Sequence, residues 1–229
     1  MSKDNSPRST RRRRLALVAS AIAVLLLAAL YAPTAAFHLL PARFTGEADR
    51  LAAVLSISPG QRVAEIGAGA GAMTADMARR VGPEGRVYST ELSPERRDEI
   101  RARVERESLR NVVIVEAGAA ETNLPDACCD AILMRNVYHH ITDTRPFTAS
   151  VRRAVRDGGR LAIVDFAPGA FWHLPGRPAE ATVRRTGHGV SRRHVIDEFT
   201  AVGFRVEQEI EDWGGRMFLV LFRAAGLPD

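Results

Sequence analysis

Three places in this sequence bring together residue types that can do chemistry. The first is Arg62–Thr74, RVAEIGAGAGAMT, where Glu65 precedes Gly67, Gly69 and Gly71. Glycines let the backbone bend sharply and approach a bound molecule closely, and free amides at the start of a following helix offer it donors. An acid at Glu65, closing a strand, can face a ligand's amino group directly or through water. The second place is Glu91 in VYSTELSP, a carboxylate that can accept both hydroxyls of a ribose. The third is RNVYHH, Arg135–His140, with Asp165 further on. Asn136, Tyr138, His139, His140 and Asp165 are candidates for a proton-transfer role, with His139, His140 and Asp165 put forward as catalytic. Each has a plainer reading: the two histidines can cap or pack the next helix, and Asp165 can fix a loop. His173, His188 and His194 lie in or beside an irregular stretch and read equally as solvated. Phe171 and Trp172 can stack on an aromatic acceptor, or serve linker packing or membrane contact.

These residues need elements to position them, and the sequence supplies an alternation. A helix is expected over Gly46–Leu55, where Ala48, Leu51, Ala52 and Leu55 recur at helical spacing. Then come a strand at 62–66, a helix at 72–81, strand 86–90, helix 94–107, strand 112–116, strand 130–135, helix 144–156, a turn at Asp157-Gly158-Gly159 and strand 160–166. Such alternation implies right-handed crossovers and a parallel sheet covered on both faces. Ala167–Gly189 has no convincing period and reads as a long irregular insert. Ser191 can cap a helix reaching Val202, with Gly203 ending it. Phe204–Glu211 and Arg216–Phe222 then form a hairpin, so the last strand must run antiparallel. The expectation is a doubly wound α/β domain with a seven-stranded sheet.

The glycines alone also fit the dinucleotide pattern G-x-G-x-x-A, so they do not choose a cofactor. Glu65, Glu91 and the closing hairpin, with no second substrate domain behind it, favour an adenosyl-sulfonium cofactor over NAD. In EIGAGAG at Glu65–Gly71, TELS at Thr90–Ser93 and NLPDACCDAILMRNVYHHI at Asn123–Ile141 the chain resembles the class I S-adenosylmethionine-dependent methyltransferases. The resemblance covers about Gly46 to Phe222 and leans toward the small-molecule members, a group that includes quinone-ring methylating enzymes. It implies a Rossmann-like fold, with Gly67, Gly69 and Gly71 under the methionine part of S-adenosylmethionine and Glu65 near its amino group. Glu91 and Leu92 would lie at the ribose, with Gly118, Ala119 and Asn136 completing the cofactor site. Where the family commonly places an acid for the adenine amino group, this chain has Gly118, a departure that predicts a weaker hold there. Methyl transfer from a sulfonium is an in-line displacement, so the protein mainly positions the reactants and excludes water. The alternatives are an NAD(P)-dependent oxidoreductase and a non-catalytic binding protein that kept the fold.

Charge and hydropathy concern the first residues. The isoelectric point near 10.0 comes from residues 1–14, which carry a net +5; the rest balances, with 26 residues of each sign. A domain without net charge has no global pull on nucleic acid, and no nucleic-acid partner is expected. Leu15–Ala32 is eighteen residues without a charge, enough to span the roughly 30 Å of a bilayer core. It reads as a transmembrane anchor or a signal segment, with 33–45 as linker and 46–229 as the methyltransferase domain. The arginines ahead of it predict a single-pass protein with a cytoplasmic N-terminus and the domain on the far side; export after signal cleavage is the alternative. Cys128 and Cys129 are adjacent, which excludes an ordinary disulfide framework, and no soft ligands nearby support a metal. They read as two small residues leading into a strand.

Overall fold

The computed structural model describes residues 44–168, 185–186 and 189–226. The apolar stretch Leu15–Ala32 and residues Phe171, Trp172, His173 and His188 lie outside the described residues. Among the described residues no helix is long and apolar enough to cross a membrane.

The strands are β1 (Arg62–Ile66), β2 (Arg86–Glu91), β3 (Val112–Glu116), β4 (Cys129–Arg135), β5 (Val155–Phe166), β6 (Arg185–Thr186), β7 (Gly189–Val190), β8 (Phe204–Gly214) and β9 (Met217–Ala224). The helices are α1 (Phe44–Leu55), α2 (Ala72–Val81), α3 (Pro94–Arg106), α4 (Thr144–Ala154) and α5 (Arg192–Thr200), with a 3-10 turn at Tyr138–His140. The main sheet has seven strands in the order β3-β2-β1-β4-β5-β9-β8, and β6-β7 forms a separate ribbon. Strands β1 to β5 pair in parallel, while β9 runs antiparallel to both β5 and β8. The chain begins in the middle, builds outward through β2 and β3, then returns to the other side of β1. That reversal leaves a crevice between the carboxyl ends of β1 and β4.

Strand alternation sends neighbouring residues to opposite faces of the sheet. Ile132 and Met134 of β4, Leu161 and Ile163 of β5, and Val220 and Phe222 of β9 join one core with Phe147, Val151, Val195 and Phe199. Leu133, Ala162, Val164, Leu219 and Leu221 face the other way, against Leu51 and Leu55 of α1 and Met73, Met77 and Val81 of α2. The helix expected from 46 therefore covers one face with its predicted stripe: Ala48, Leu51, Ala52 and Leu55 are all buried.

Several expected boundaries move. Helix α4 stops at Ala154, and β5 starts at Val155 rather than 160, so the anticipated Asp-Gly-Gly turn lies within the strand. The pairing with β4 jumps from Cys129↔Val155 to Ala131↔Arg160, so the turn residues are absorbed as a bulge. A Cβ at Gly159 would stand 2.7 Å from Val155 Cγ1, so only glycine fits the kink. Strand β8 runs on to Gly214, and the hairpin closes on Gly215-Arg216 with φ of 63° and 69°, the two positive values a tight twisted hairpin turn needs. The two cysteines, read as packing residues, are joined to each other as a vicinal disulfide, and both are buried. Adjacency excludes a framework between distant segments, but not this local pairing. The end of the irregular insert pairs Arg185–Thr186 with Gly189–Val190.

One polar cluster ties α1 to the carboxyl edge of the sheet. Glu47 accepts from Arg135 Nε at 2.8 Å and from the Trp213 indole at 2.9 Å. Arg50 donates to the Trp213 carbonyl at 2.8 Å and lies 3.9 Å over its ring. Trp213 is buried, so its loss removes apolar contact and leaves Glu47 short of a donor. Trp213→Ala is expected to cost about 3–5 kcal/mol of stability, read as a lower denaturation midpoint by circular dichroism; an unchanged midpoint would refute this role.

Candidate functional site

The glycine run forms one wall of the crevice. Gly67 (φ 73°) and Ala68 both donate to the Thr90 carbonyl, at 2.9 and 3.0 Å. A Cβ on Gly67 would meet Val137 Cγ2 at 2.4 Å, so β1 and the segment after β4 approach too closely for any side chain there. Gly69 (φ 55°) differs, because a Cβ there would meet nothing within 4 Å. It faces open space. Gly71 (φ 74°) takes the left-handed conformation at the start of α2, and a Cβ there would press on Ile100 at 3.1 Å.

Glu91 connects this loop to the next strand. Its Oε2 accepts from the Gly69 amide at 2.8 Å, while Oε1 accepts from the amides of Leu92 (2.9 Å) and Ser93 (3.1 Å). With about two acceptor positions per carboxylate oxygen, Oε2 keeps one for a ligand hydroxyl. Leu92 beside it is 59% exposed, the one large exposed hydrophobic residue among those described. Gly118 spends its amide on the Glu121 carbonyl at 2.9 Å, Ala119 is exposed, and the Glu121 carboxylate pairs with Arg153 at 3.5 Å. Asn136 has φ 55°, and its Oδ1 is buried without a hydrogen-bond partner; Thr90 Oγ1 is buried and unpaired in the same way. Both lie at carboxyl ends of strands lining the crevice.

The sequence placed His139, His140 and Asp165 near one another only by topology; the structure hydrogen-bonds Asp165 to His139 and sets the His140 ring against that of His139. Asp165 Oδ1 is 2.8 Å from His139 Nδ1, and Oδ2 accepts from the His139 amide at 3.1 Å. The Phe166 amide also donates to Oδ1, at 2.9 Å. Asp165 is wholly buried and His139 nearly so, whereas His140 is exposed, its ring centroid 3.9 Å from that of His139. Tyr138 is buried among Phe147 and Phe199 and gives its hydroxyl to Glu198 at 2.7 Å, a packing arrangement. His194 pairs with Ser191, the cap of α5, at 2.6 Å.

Sequence reasoning missed the partners of Glu65. Its carboxyl is buried, receives the Thr74 hydroxyl, and Thr74 in turn contacts Ser89 Oγ at 2.8 Å. The spacing of Thr74 nine residues on gives no signal, because the contact depends on α2 folding back over β1. Burial pushes the Glu65 carboxyl up from 4.5 to about 7, against the lowering effects of Thr74 and Arg135 and with a small added push from Glu91. Between these values the folded chain holds a proton the unfolded chain has released, so stability falls as pH rises through that window. By pH 8 the loss amounts to about 3 kcal/mol. Glu65→Gln, which keeps an acceptor for Thr74, is expected to flatten this slope and stabilise the chain at pH 8; equal slopes in denaturation at pH 5 and 8 would refute it.

Residues 64–163 match a family of methyltransferase domains. The ubiquinone/menaquinone biosynthesis C-methyltransferase of Vibrio campbellii is 33% identical over 113 residues, 48% of this chain and 42% of that protein. The corresponding protein of Teredinibacter turnerae is 32% identical over 115 residues, 48% of this chain and 45% of its own length. The chain thus spans less than half the length of the curated relatives it matches. Among solved structures, a SAM-dependent methyltransferase from Aquifex aeolicus superposes with a TM-score of 0.65 at 22% identity, covering 78% of this chain and 89% of that one. The [4+2]-cyclase SpnF superposes with 0.62 at 14%, over 78% and 79%. Sheet order, glycine crevice and matched segment agree: residues 64–163 carry the match to the methyltransferase-domain family, within a fold that superposes on a SAM-dependent methyltransferase.

Proposed function

We propose that this chain transfers a methyl group from S-adenosylmethionine to a small, lipophilic acceptor. The observation that carries this reading is the crevice at the sheet's reversal point, where Glu91 holds the Gly69 amide beside open space. The residues fit the cofactor. An open glycine cradle accepts its methionine part, the spare acceptor on Glu91 suits a ribose hydroxyl, and exposed Leu92 offers an apolar surface for a base. The unpaired Oδ1 of Asn136 suits a donor such as an amino group. Bound there, the cofactor would supply an electrophilic methyl carbon on a sulfonium. The chain's own task is to orient an acceptor toward that carbon and keep water out. The names of the relatives, which act in ubiquinone and menaquinone biosynthesis, support an acceptor of quinone-like, lipophilic character.

A lipophilic acceptor also fits the eighteen uncharged residues of Leu15–Ala32. We read them as a single-pass anchor with the arginine-rich N-terminus in the cytoplasm. A fusion to Asp229 of a reporter active only outside the cytoplasm is expected to give signal, and signal from a cytoplasm-only reporter would reverse the orientation.

The cofactor reading is tested by calorimetric titration of the full chain with S-adenosylhomocysteine and, separately, NAD. Saturable binding of the first alone is expected. Glu91→Ala should weaken it by about 10-fold or more, since it removes a charge-assisted contact of about 1.5–3 kcal/mol and frees the Gly69 loop. Saturable NAD binding without a response to S-adenosylhomocysteine would refute the reading.

A further inference from the structure

The seven-stranded sheet has two edges, and the chain treats them differently. An edge strand offers a row of unpaired amides and carbonyls to any strand that can lie alongside it, so proteins blunt it with charges and bulges. Strand β8 is blunted in both ways. Its exposed positions include Arg205, Glu209 and Glu211, and its pairing with β9 is interrupted twice, between Val206 and Gln208 and between Ile210 and Gly214. Strand β3, VVIVE, has neither device. It pairs with β2 in unbroken register from Val112 to Glu116, and four β-branched residues without a charge or a proline precede Glu116. Such residues suit a pleated surface that another strand can extend. All four are only half-buried, and Val113, Ile114 and Val115 belong to neither core. The connection from β3 to β4 contains no helix to cover them. The Asn111 carbonyl and the Ala117 amide bond to β2, which turns the backbone groups of the odd-numbered residues inward and leaves the amides and carbonyls of Val112 and Ile114 facing out.

We propose that β3 is the surface through which two copies of this chain associate, edge to edge and antiparallel about Val113. The strand is complementary to itself in that register. Val113 stands opposite Val113 of the second copy, Val112 opposite Ile114, and Arg110 opposite Glu116. The outward amides and carbonyls of Val112 and Ile114 exchange hydrogen bonds with those of the second copy, and β-branched side chains meet on both faces of the joined sheets. Charge selects the register. Arg110 is exposed and makes no ion pair among the described residues, while Glu116 is 73% exposed and lies 3.2 Å from Arg97. Two-fold symmetry makes each contact twice, so both ends of the paired strands carry an opposite-charge pair. A shift of two residues either way sets Arg110 opposite Gly118 or Ile114 and loses both pairs. The ladder also has a natural end, because the Glu116 carbonyl already accepts from the Asn123 side-chain amide at 2.8 Å. This association goes beyond the methyl-transfer reading and does not rest on it.

The test uses the full chain in a nonionic detergent, with association read by sedimentation equilibrium. A dimer in the micromolar range is expected, and Ile114→Lys, which puts a charge on the open edge, should raise its dissociation constant by about 10-fold or more. Arg110→Glu should weaken it by about 10-fold, since it sets a like-charge pair at each end, and adding Glu116→Arg should recover most of that loss. Association through the apolar residues 15–32 would also give a dimer, so cross-linking locates the contact. Cys128 and Cys129 are joined to each other and buried, which leaves an introduced thiol to react alone. Val113→Cys is expected to form an intermolecular disulfide under mild oxidation, because opposed Cα atoms in a non-hydrogen-bonded pair lie about 4.5 Å apart. Glu209→Cys, on the blunted edge at β8, is expected not to. Circular dichroism of each variant should match wild type; if Ile114→Lys does not fold, the Val113→Cys cross-link decides. A chain that stays monomeric throughout the micromolar range overturns the proposal. So does a dimer indifferent to Ile114→Lys, or one in which Glu209→Cys cross-links and Val113→Cys does not.

Discussion

The absence of a side chain at Gly67 is the constraint on which the crevice depends. Strands β1 and β4 are neighbours only because the chain reverses direction in the sheet, and their carboxyl ends must come together before anything can be held between them. With a Cβ, Gly67 would stand 2.4 Å from Val137, and either the strand end or the segment bearing His139 would have to move. The positive φ of 73° at the same position adds a backbone reason to the steric one. Gly69 answers to a different need, because no neighbour would oppose a side chain there. Its amide is committed to Glu91 and its other side is open.

Two carboxyl groups border this loop, and their surroundings separate their work. Glu91 sits among three backbone amides, whose hydrogen bonds let it hold the loop in shape. Glu65 is buried beside two hydroxyl groups, and burial raises it to about 7. Arg135 connects this polar region to the rest of the fold, because it acts on Glu65 electrostatically and also donates to Glu47 on α1. Glu47 in turn holds Trp213 near the tip of the β8–β9 hairpin. The first helix, the central strands and the closing hairpin are thereby joined by one run of polar contacts at the carboxyl edge.

What was legible in the sequence follows from how local its cause is. Strands β1, β3 and β4 and helix α2 fall within a residue of expectation, because apolar pattern and flanking glycines are local signals. The antiparallel place of β9 was legible for the same reason: a short connection permits only a hairpin. The start of β5 was not, since Asp157-Gly158-Gly159 looks like a turn and becomes a bulge only through its pairing with β4. In the site, the acids, glycines and histidines were identifiable by type. Their partners were not: Thr74 for Glu65, Glu47 for Arg135 and Asp165 for His139 are separated by 9, 88 and 26 residues, and only the folded topology brings them together. The vicinal pairing of Cys128 and Cys129 was equally invisible to an argument from spacing between distant segments.

The sheet and its crevice do not by themselves decide the chemistry, as the likeness to a [4+2]-cyclase of the same fold shows. The glycine loop and the acids Glu65 and Glu91 belong to β1, β2 and the turn between β1 and α2. The other half of the carboxyl edge is where β4 and β5 end. There the chain departs from generic packing in a particular way, placing a wholly buried carboxylate under one imidazole while leaving the adjacent imidazole of His140 exposed. Desolvating an acid is tolerated when its partners are fixed, and here two of the three belong to His139. The Asp165 carboxylate holds both the amide and the ring of His139, so two adjacent histidines of identical chemistry stand in different surroundings.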